Sequence, residues 1–279
     1  MSLREQQATV VGRPIRYLEA GEGEPFLLVH AFPLSADLWR PQLAAPPPGW
    51  RLIAPDLRGF RGPGGGPVDL APLGDVTVDD YARDLVALLD HLGVARAVVG
   101  GLSMGGYVTF ALRRLVPGRV RALVLADTRP QADGDQGRAK RREMLALVAR
   151  DGVTGVADAM LPALLGRTSQ GERPALAAEV RRLVLANHPE AVRAAVSAMM
   201  TRPDSTPLLA SIDCPTLVVV GEEDAITPVA DVAALHEAIP GSRLSVLPAS
   251  GHLSNLETPD AFGAALARFL AERVAERDA

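Results

Sequence analysis

Five short, continuous apolar runs, "FLLVHAF", "RLIAPD", "AVVGG", "RALVLAD" and "TLVVVG", recur along the chain with amphipathic segments between them. Runs that do not alternate with polar residues suit strands buried on both faces, which is the situation of a parallel sheet. The segments between and after them, among them "TVDDYARDLVALLDHLG", "VADVAALHEAIPG" and "TPDAFGAALARFLAERVAE", carry apolar residues at helical spacing. Strands alternating with helices imply right-handed crossovers and a mostly parallel sheet covered by helices on both faces. At the start, "ATVVGRPIRYLEAG" alternates around a Gly-Arg-Pro turn as a hairpin does, and "SRLSVLPAS" supplies a last strand.

One region breaks the rhythm. Between about residues 129 and 209 lie "RAKRREMLALVARDG", "VTGVADAMLPALLG", "PALAAEVRRLVLANHP" and "EAVRAAVSAMMTRP", four helical patterns with no strand among them. Open α/β sheets bind ligands in the crevice beyond the carboxyl ends of their strands, so helices inserted there form a cap over it. The expected organisation is therefore a core of residues 1–128 and 210–279 with a helical cap of residues 129–209. The loop "FRGPGGGPVDLAPLGD" is too rich in Gly and Pro for regular structure.

Composition narrows the partners. A formal charge of −4, spread without a basic or acidic block, offers no footprint for nucleic acid or an anionic membrane and points to a small-molecule ligand. No apolar run approaches the ~20 residues of a spanning helix. The single cysteine, Cys214, excludes an internal disulfide and a cysteine-based metal cluster, and "MSLREQQATVVG" has no apolar segment behind a basic one, so the cytoplasm is the expected compartment.

The stretch "VVGGLSMGGY" places Ser103 between Gly101 and Gly105, after a strand and before a helix. In that context G-x-S-x-G is a nucleophile elbow, a sharp strained turn that exposes the serine hydroxyl. Such a hydroxyl needs a histidine base and a carboxylate to orient it, in the chain order serine, acid, histidine. Of the five histidines, His252 alone follows the last strand, in "PASGHLSNLE". Asp224 ends "TLVVVGEED" one strand earlier, although Glu222 and Glu223 adjoin it and Asp127, after the preceding strand, is a second position for the acid. Loop histidines are ordinarily solvated surface groups; the serine–acid–histidine order at strand ends is what sets His252 apart. Asp56 is expected to cap a turn and His30 to order its loop, with His91, His188 and His236 exposed.

Acyl transfer also needs donors for the oxyanion. The backbone N–H of Met104 follows the nucleophile, and Phe32 supplies the second N–H, since Pro33 has none. Leu34 and Trp39 beyond that loop, and Met160, Leu164, Leu165, Met199 and Met200 in the cap, are candidates for an apolar acyl pocket, each equally suited to the core.

Through "LLVHAFPL", "APDLRG", "GGLSMGGY", "RALVLADTRP", "RPDSTPLL", "PTLVVVGEED" and "GHLSNLE" the chain resembles the α/β-hydrolases of the carboxylesterase and enol-lactonase-like group, nearly end to end. The resemblance implies an α/β-hydrolase fold, a triad of Ser103, Asp224 and His252, an oxyanion hole at Phe32 and Met104, a small ester or lactone substrate, and no metal or organic cofactor. It is nearest to 3-oxoadipate enol-lactonases around "SGHLSNLETP". Ala31 stands where many relatives have glycine, which would cost roughly 1–2 kcal/mol if φ had to be positive, and Phe60 and Arg61 replace a common His-Gly pair. The expected activity is hydrolysis of small carboxylic esters. Enol-lactonase and cofactor-free perhydrolase or haloperoxidase activities are the enzymatic alternatives, and a ligand receptor with a relic triad is the non-enzymatic one.

Overall fold

The computed structural model describes residues 3–61, 73 and 76–274, so most of the Gly/Pro-rich loop lies outside the described residues. The N-terminal half runs β1 (Arg4–Val10), β2 (Arg13–Gly21), β3 (Glu24–Val29), α1 (Arg40–Ala44), β4 (Trp50–Pro55), α2 (Val78–His91), β5 (Ala97–Leu102), α3 (Met104–Leu115) and β6 (Val120–Ala126). Four helices follow without a strand: α4 (Asp135–Leu164), α5 (Arg167–Glu172), α6 (Pro174–Leu185) and α7 (Pro189–Met200). The chain closes with β7 (Thr216–Gly221), α8 (Val229–Ala238), β8 (Arg243–Leu247), α9 (Ser254–Glu257) and α10 (Pro259–Phe269).

This is an α/β-hydrolase fold with an inserted helical cap. The eight strands form one sheet in the order β1-β2-β4-β3-β5-β6-β7-β8. The hairpin β1–β2 is antiparallel, as its alternation predicts, and β2 meets β4 antiparallel. From β4 to β8 every pairing is parallel. The fully apolar runs of β5 and β7 are buried along their whole length, consistent with helices covering both faces.

Strand order also fixes where a ligand can sit. The chain leaves β3 for β4 on one side and later returns to β5 on the other, so the sheet has its switch point between β4, β3 and β5. The crevice at such a point lies beyond the carboxyl ends of the strands, where the turns after β3 and β5 place Phe32 and Ser103.

Local signals account for the helix limits. Thr77 caps α2 through a reciprocal box in which Thr77 Oγ1 accepts from Asp80 N (3.2 Å) and Asp80 Oδ2 accepts from Thr77 N (3.0 Å). Gly93, with φ +67°, ends it. The first two cap patterns are two helical segments, given together as α4, that meet in a kink at Gly152, whose φ of +63° and ψ of −155° interrupt the helical geometry. α5 and α9 are too short and too polar to leave a helical pattern in the sequence. The cap's two stems are tied together at Arg202. Its guanidinium meets Asp133 Oδ1 at 2.8 Å, donates to the Met199 and Gln131 carbonyls at 2.7 and 2.8 Å, and lies 4.1 Å above the Tyr107 ring of α3.

Candidate active site

Ser103 occupies a conformation that only strong surroundings maintain. Its φ and ψ are +53° and −113°, a sparsely populated region that costs about 1–3 kcal/mol. The turn is held by Ser103 N donating to Ala126 O (2.9 Å), by Gly106 N donating to Ser103 O (2.9 Å) and by Thr128 Oγ1 donating to the same carbonyl (2.8 Å). The glycines around it are explained by close approach. A Cβ on Gly101 would lie 2.2 Å from the Gly105 backbone, and one on Gly105 would lie 2.2 Å from Val29 O. The elbow thus presses α3 against the end of β3, and no larger residue fits at either position.

Asp224 and His252 follow the neighbouring strands β7 and β8 and meet, with His252 Nδ1 2.8 Å from Asp224 Oδ2. Both side chains are buried. The carboxylate is fully engaged. Its Oδ1 accepts from Ile226 N (2.8 Å) and Thr227 N (2.9 Å), and Thr227 Oγ1 donates to Oδ2. Burial pushes the Asp224 carboxyl up, but the His252 charge and the hydrogen bonds from His252 and Thr227 outweigh it and hold the group below its ordinary value. An ionised Asp224 can only accept, so Nδ1 of His252 carries the proton and Nε2 is left as a base.

The other carboxylates near the pair are committed elsewhere. Asp127, at the end of β6, accepts from Gly221 N (2.9 Å) and from Ser254 Oγ (2.5 Å). Burial and the adjacent Asp224 charge drive its carboxyl well above the ordinary range. Glu222 is exposed, and Glu223 accepts from Thr168 N and Oγ1 at 2.9 and 2.7 Å.

Among the described residues, neither the Phe32 nor the Met104 N–H donates to an acceptor in the chain. The loop holding Phe32 is set by His30. Leu57 N donates to His30 Nε2 (3.0 Å), which makes Nδ1 the protonated nitrogen, facing Ala31 O at 3.0 Å. Burial lowers the His30 pKa to about 4, and the ring packs edge-on against Phe60, 5.0 Å away. Ala31 has no positive φ, so the strain considered for this position does not arise. Asp56 Oδ1 accepts from Ala36 N (2.7 Å), 20 residues earlier in the segment after β3, and Oδ2 from Arg16 of β2 (3.0 Å), so the turn it caps is a distant one and not its own.

The apolar candidates separate less cleanly. Leu34, Leu164, Leu165 and Met199 are buried, while Met160 and Met200 are half-buried on the cap. Trp39 is fully buried with its ring 5.9 Å from that of Phe262 in α10, which gives it a packing role. The sequence reading missed Thr227, whose hydroxyl braces Asp224, and Ser254, Asn255 and Glu257, which brace the His252 loop; none lies in a pattern that announces its distant partner.

A strained serine between strand and helix, together with a buried Asp–His pair at neighbouring strand ends, defines a serine-hydrolase-type triad. The chain belongs to the alpha/beta hydrolase fold family, whose model matches residues 24–259. It is similar in structure to a thermophilic esterase from Thermogutta terrifontis (TM-score 0.88, 36% identity, 96% of this chain and 98% of that one). In sequence it is 29% identical to 3-oxoadipate enol-lactonase 2 of Acinetobacter baylyi, over 90% of this chain and 91% of the relative. It is likewise 30% identical to a non-heme haloperoxidase of Rhodococcus erythropolis, over 93% and 96%. Fold and site together equip it for carboxylic ester hydrolysis.

Proposed function

We propose that the protein hydrolyses small, neutral carboxylic esters through an acyl-enzyme on Ser103. The observation that carries this reading is the His252 Nδ1–Asp224 Oδ2 bond of 2.8 Å, which leaves Nε2 as the base. His252 takes the Ser103 proton as Oγ attacks the ester carbonyl, and the N–H groups of Phe32 and Met104 receive the oxyanion. The imidazolium then protonates the departing alcohol, and water activated by the same nitrogen releases the acid. Asp224 fixes the tautomer and stabilises the imidazolium without taking its proton.

Preference for a neutral substrate is supported by the commitments of four cap arginines and by the exposure of a fifth, Arg142. Arg138 pairs with Asp135, Arg141 with Asp133, Arg181 with Asp158 and Arg182 with Glu179, at 2.7 to 3.0 Å. A dicarboxylate substrate needs unoccupied cations facing it, because a buried carboxylate without a partner is costly. The second reading, an enol-lactonase, is favoured by similarity to the A. baylyi enzyme.

A hydrolysis panel of short neutral esters, long-chain esters, lactones and a dicarboxylate enol lactone, with Ser103→Ala as the blank, tests the assignment. Turnover of short neutral esters that vanishes in the blank is expected. Efficient turnover of the enol lactone with negligible activity on neutral esters would reverse the order of the two readings.

A further inference from the structure

The loop that carries His252 is fastened on three sides. Ser254 Oγ donates to Asp127 Oδ2 at 2.5 Å, at the end of β6. Asn255 Nδ2 donates to Leu38 O and Gln42 Oε1, at 2.9 and 3.1 Å, beyond the Phe32 loop. The third attachment is to the cap. Glu257 Oε1 accepts from Gly251 N (2.9 Å) and Leu253 N (3.3 Å) on either side of His252, while its Oε2 accepts from Gly166 N (2.8 Å) at the junction of α4 and α5.

Other contacts converge on the same cap segment. The backbones of Gly166 and Gly251 touch, since a Cβ on Gly251 would lie 2.3 Å from Gly166 N. Arg173, at the start of α6, donates to the Glu257 carbonyl. On the Asp224 side, Glu223 accepts from Thr168 N and Oγ1. The cap therefore grips the acid's loop through Glu223 and the histidine's loop through Glu257.

We propose that Glu257 is a positioning residue for His252, and that the seating of the cap at Gly166–Thr168 sets the alignment of the imidazole with Asp224. The inference rests on His252 acting as the base. Its physical basis is that one carboxylate, an acceptor at both oxygens, joins two loops by receiving N–H groups from each. An amide cannot do this. In Glu257→Gln one end of the side chain becomes a donor, so either the Gly166 N–H or the pair from Gly251 and Leu253 loses its acceptor, and the two loops separate in function while the side-chain volume is kept.

The test is steady-state ester hydrolysis across pH with full-length wild type, Glu257→Gln and Thr168→Val, and Ser103→Ala as blank. Glu257→Gln is expected to lose on the order of 10- to 100-fold in kcat with KM unchanged within about 2-fold, because misalignment by about 1 Å acts on the chemical step. The acid limb of its kcat/KM profile should also move, since the Asp224–His252 pairing changes. Thr168→Val, which touches none of Ser103, Asp224 and His252, is expected to lose kcat in the same direction by less. Folded Glu257→Gln with wild-type kcat and pH profile, or a defect confined to thermal stability, overturns the proposal. If Glu257→Gln does not fold, Thr168→Val decides: lowered kcat at constant KM supports coupling to the cap, and unchanged kcat overturns it. An active Ser103→Ala would instead refute the functional reading itself.

Discussion

Asp127 and Asp224 follow adjacent strands, yet their carboxylates serve different partners: Asp224 Oδ2 meets His252 Nδ1 at 2.8 Å, whereas Asp127 takes Gly221 N and Ser254 Oγ. Their carboxyls shift in opposite directions accordingly, Asp224 held below its ordinary value by His252 and Thr227 and Asp127 pushed well above it by burial and the Asp224 charge. Asp224→Asn is expected to lower kcat by about 10⁴, because the amide admits the wrong imidazole tautomer. Asp127→Asn replaces the carboxyl by an amide of the same shape that can still accept from Gly221 and donate to Ser254, at a φ of +48° that Asn tolerates. Its kcat should remain within roughly 5-fold of wild type. Steady-state kinetics on both variants, with folding checked by circular dichroism, decides; a larger loss in Asp127→Asn would reassign the acid.

Strain at Ser103 makes a separate prediction about stability. Ser103→Ala keeps a Cβ at φ +53° and removes only the hydroxyl, so turnover falls on the order of 10⁴- to 10⁶-fold, and adding His252→Ala lowers it little further because the two act as a unit. Ser103→Gly relieves about 1–3 kcal/mol of strain against about 0.5–1 kcal/mol of extra unfolded-state entropy. The glycine variant should therefore be the more stable of the two by about 1 kcal/mol. Urea unfolding of the pair measures this directly; equal midpoints would mean that the turn carries no strain.

What sequence made legible was local. The elbow, the strand ends and the serine–acid–histidine order are encoded in contiguous residues whose backbone demands can be read without a partner, and so was the broken rhythm of the cap. The choice between Asp127 and Asp224 depended on the turn after each strand: Ile226 and Thr227 wrap the Asp224 carboxylate, and "GEEDAIT" does not announce that wrapping. Glu257 and Gly166 are 91 residues apart, and their bond leaves no periodicity in either segment. Burial of Trp39 against Phe262 was equally hidden, because an aromatic near a pocket loop and an aromatic in the core look alike in sequence.

His30 predicts a pH-dependent component of stability. The unfolded side chain titrates near 6.5, whereas the buried ring, locked neutral between Leu57 N and Ala31 O, titrates at about 4. As pH falls from about 6.5 to about 4 the unfolded chain takes up a proton that the folded one refuses, so stability drops by up to about 3 kcal/mol. Below that window both states are protonated and the contribution is constant. Other buried acids titrate in the same range, so the measurement is a difference. Wild type should lose more stability than His30→Asn between about pH 7 and about pH 4.5 in urea denaturation, and equal losses would place the His30 pKa near its ordinary value.

Arg202 predicts how firmly the cap is attached. Its guanidinium is buried, pairs with Asp133 at 2.8 Å, donates to two backbone carbonyls from opposite stems of the cap and stacks on Tyr107 of the nucleophile helix. Burial raises the Asp133 pKa, but the hydrogen bonds and charges of Arg202 and Arg141 outweigh it and keep the carboxyl low. Removing one member of a buried pair typically costs about 3–5 kcal/mol. Arg141 remains beside Asp133 and softens that loss, so Arg202→Met should destabilise by about 3 kcal/mol. Arg202→Lys should recover little of it, because a single ammonium cannot reproduce the planar fork that reaches Asp133, Met199 O and Gln131 O while lying flat on an aromatic ring. Thermal unfolding of the two variants gives the comparison. Full recovery in the lysine variant would mean that charge alone, rather than the fork and its stacking, holds the stems together.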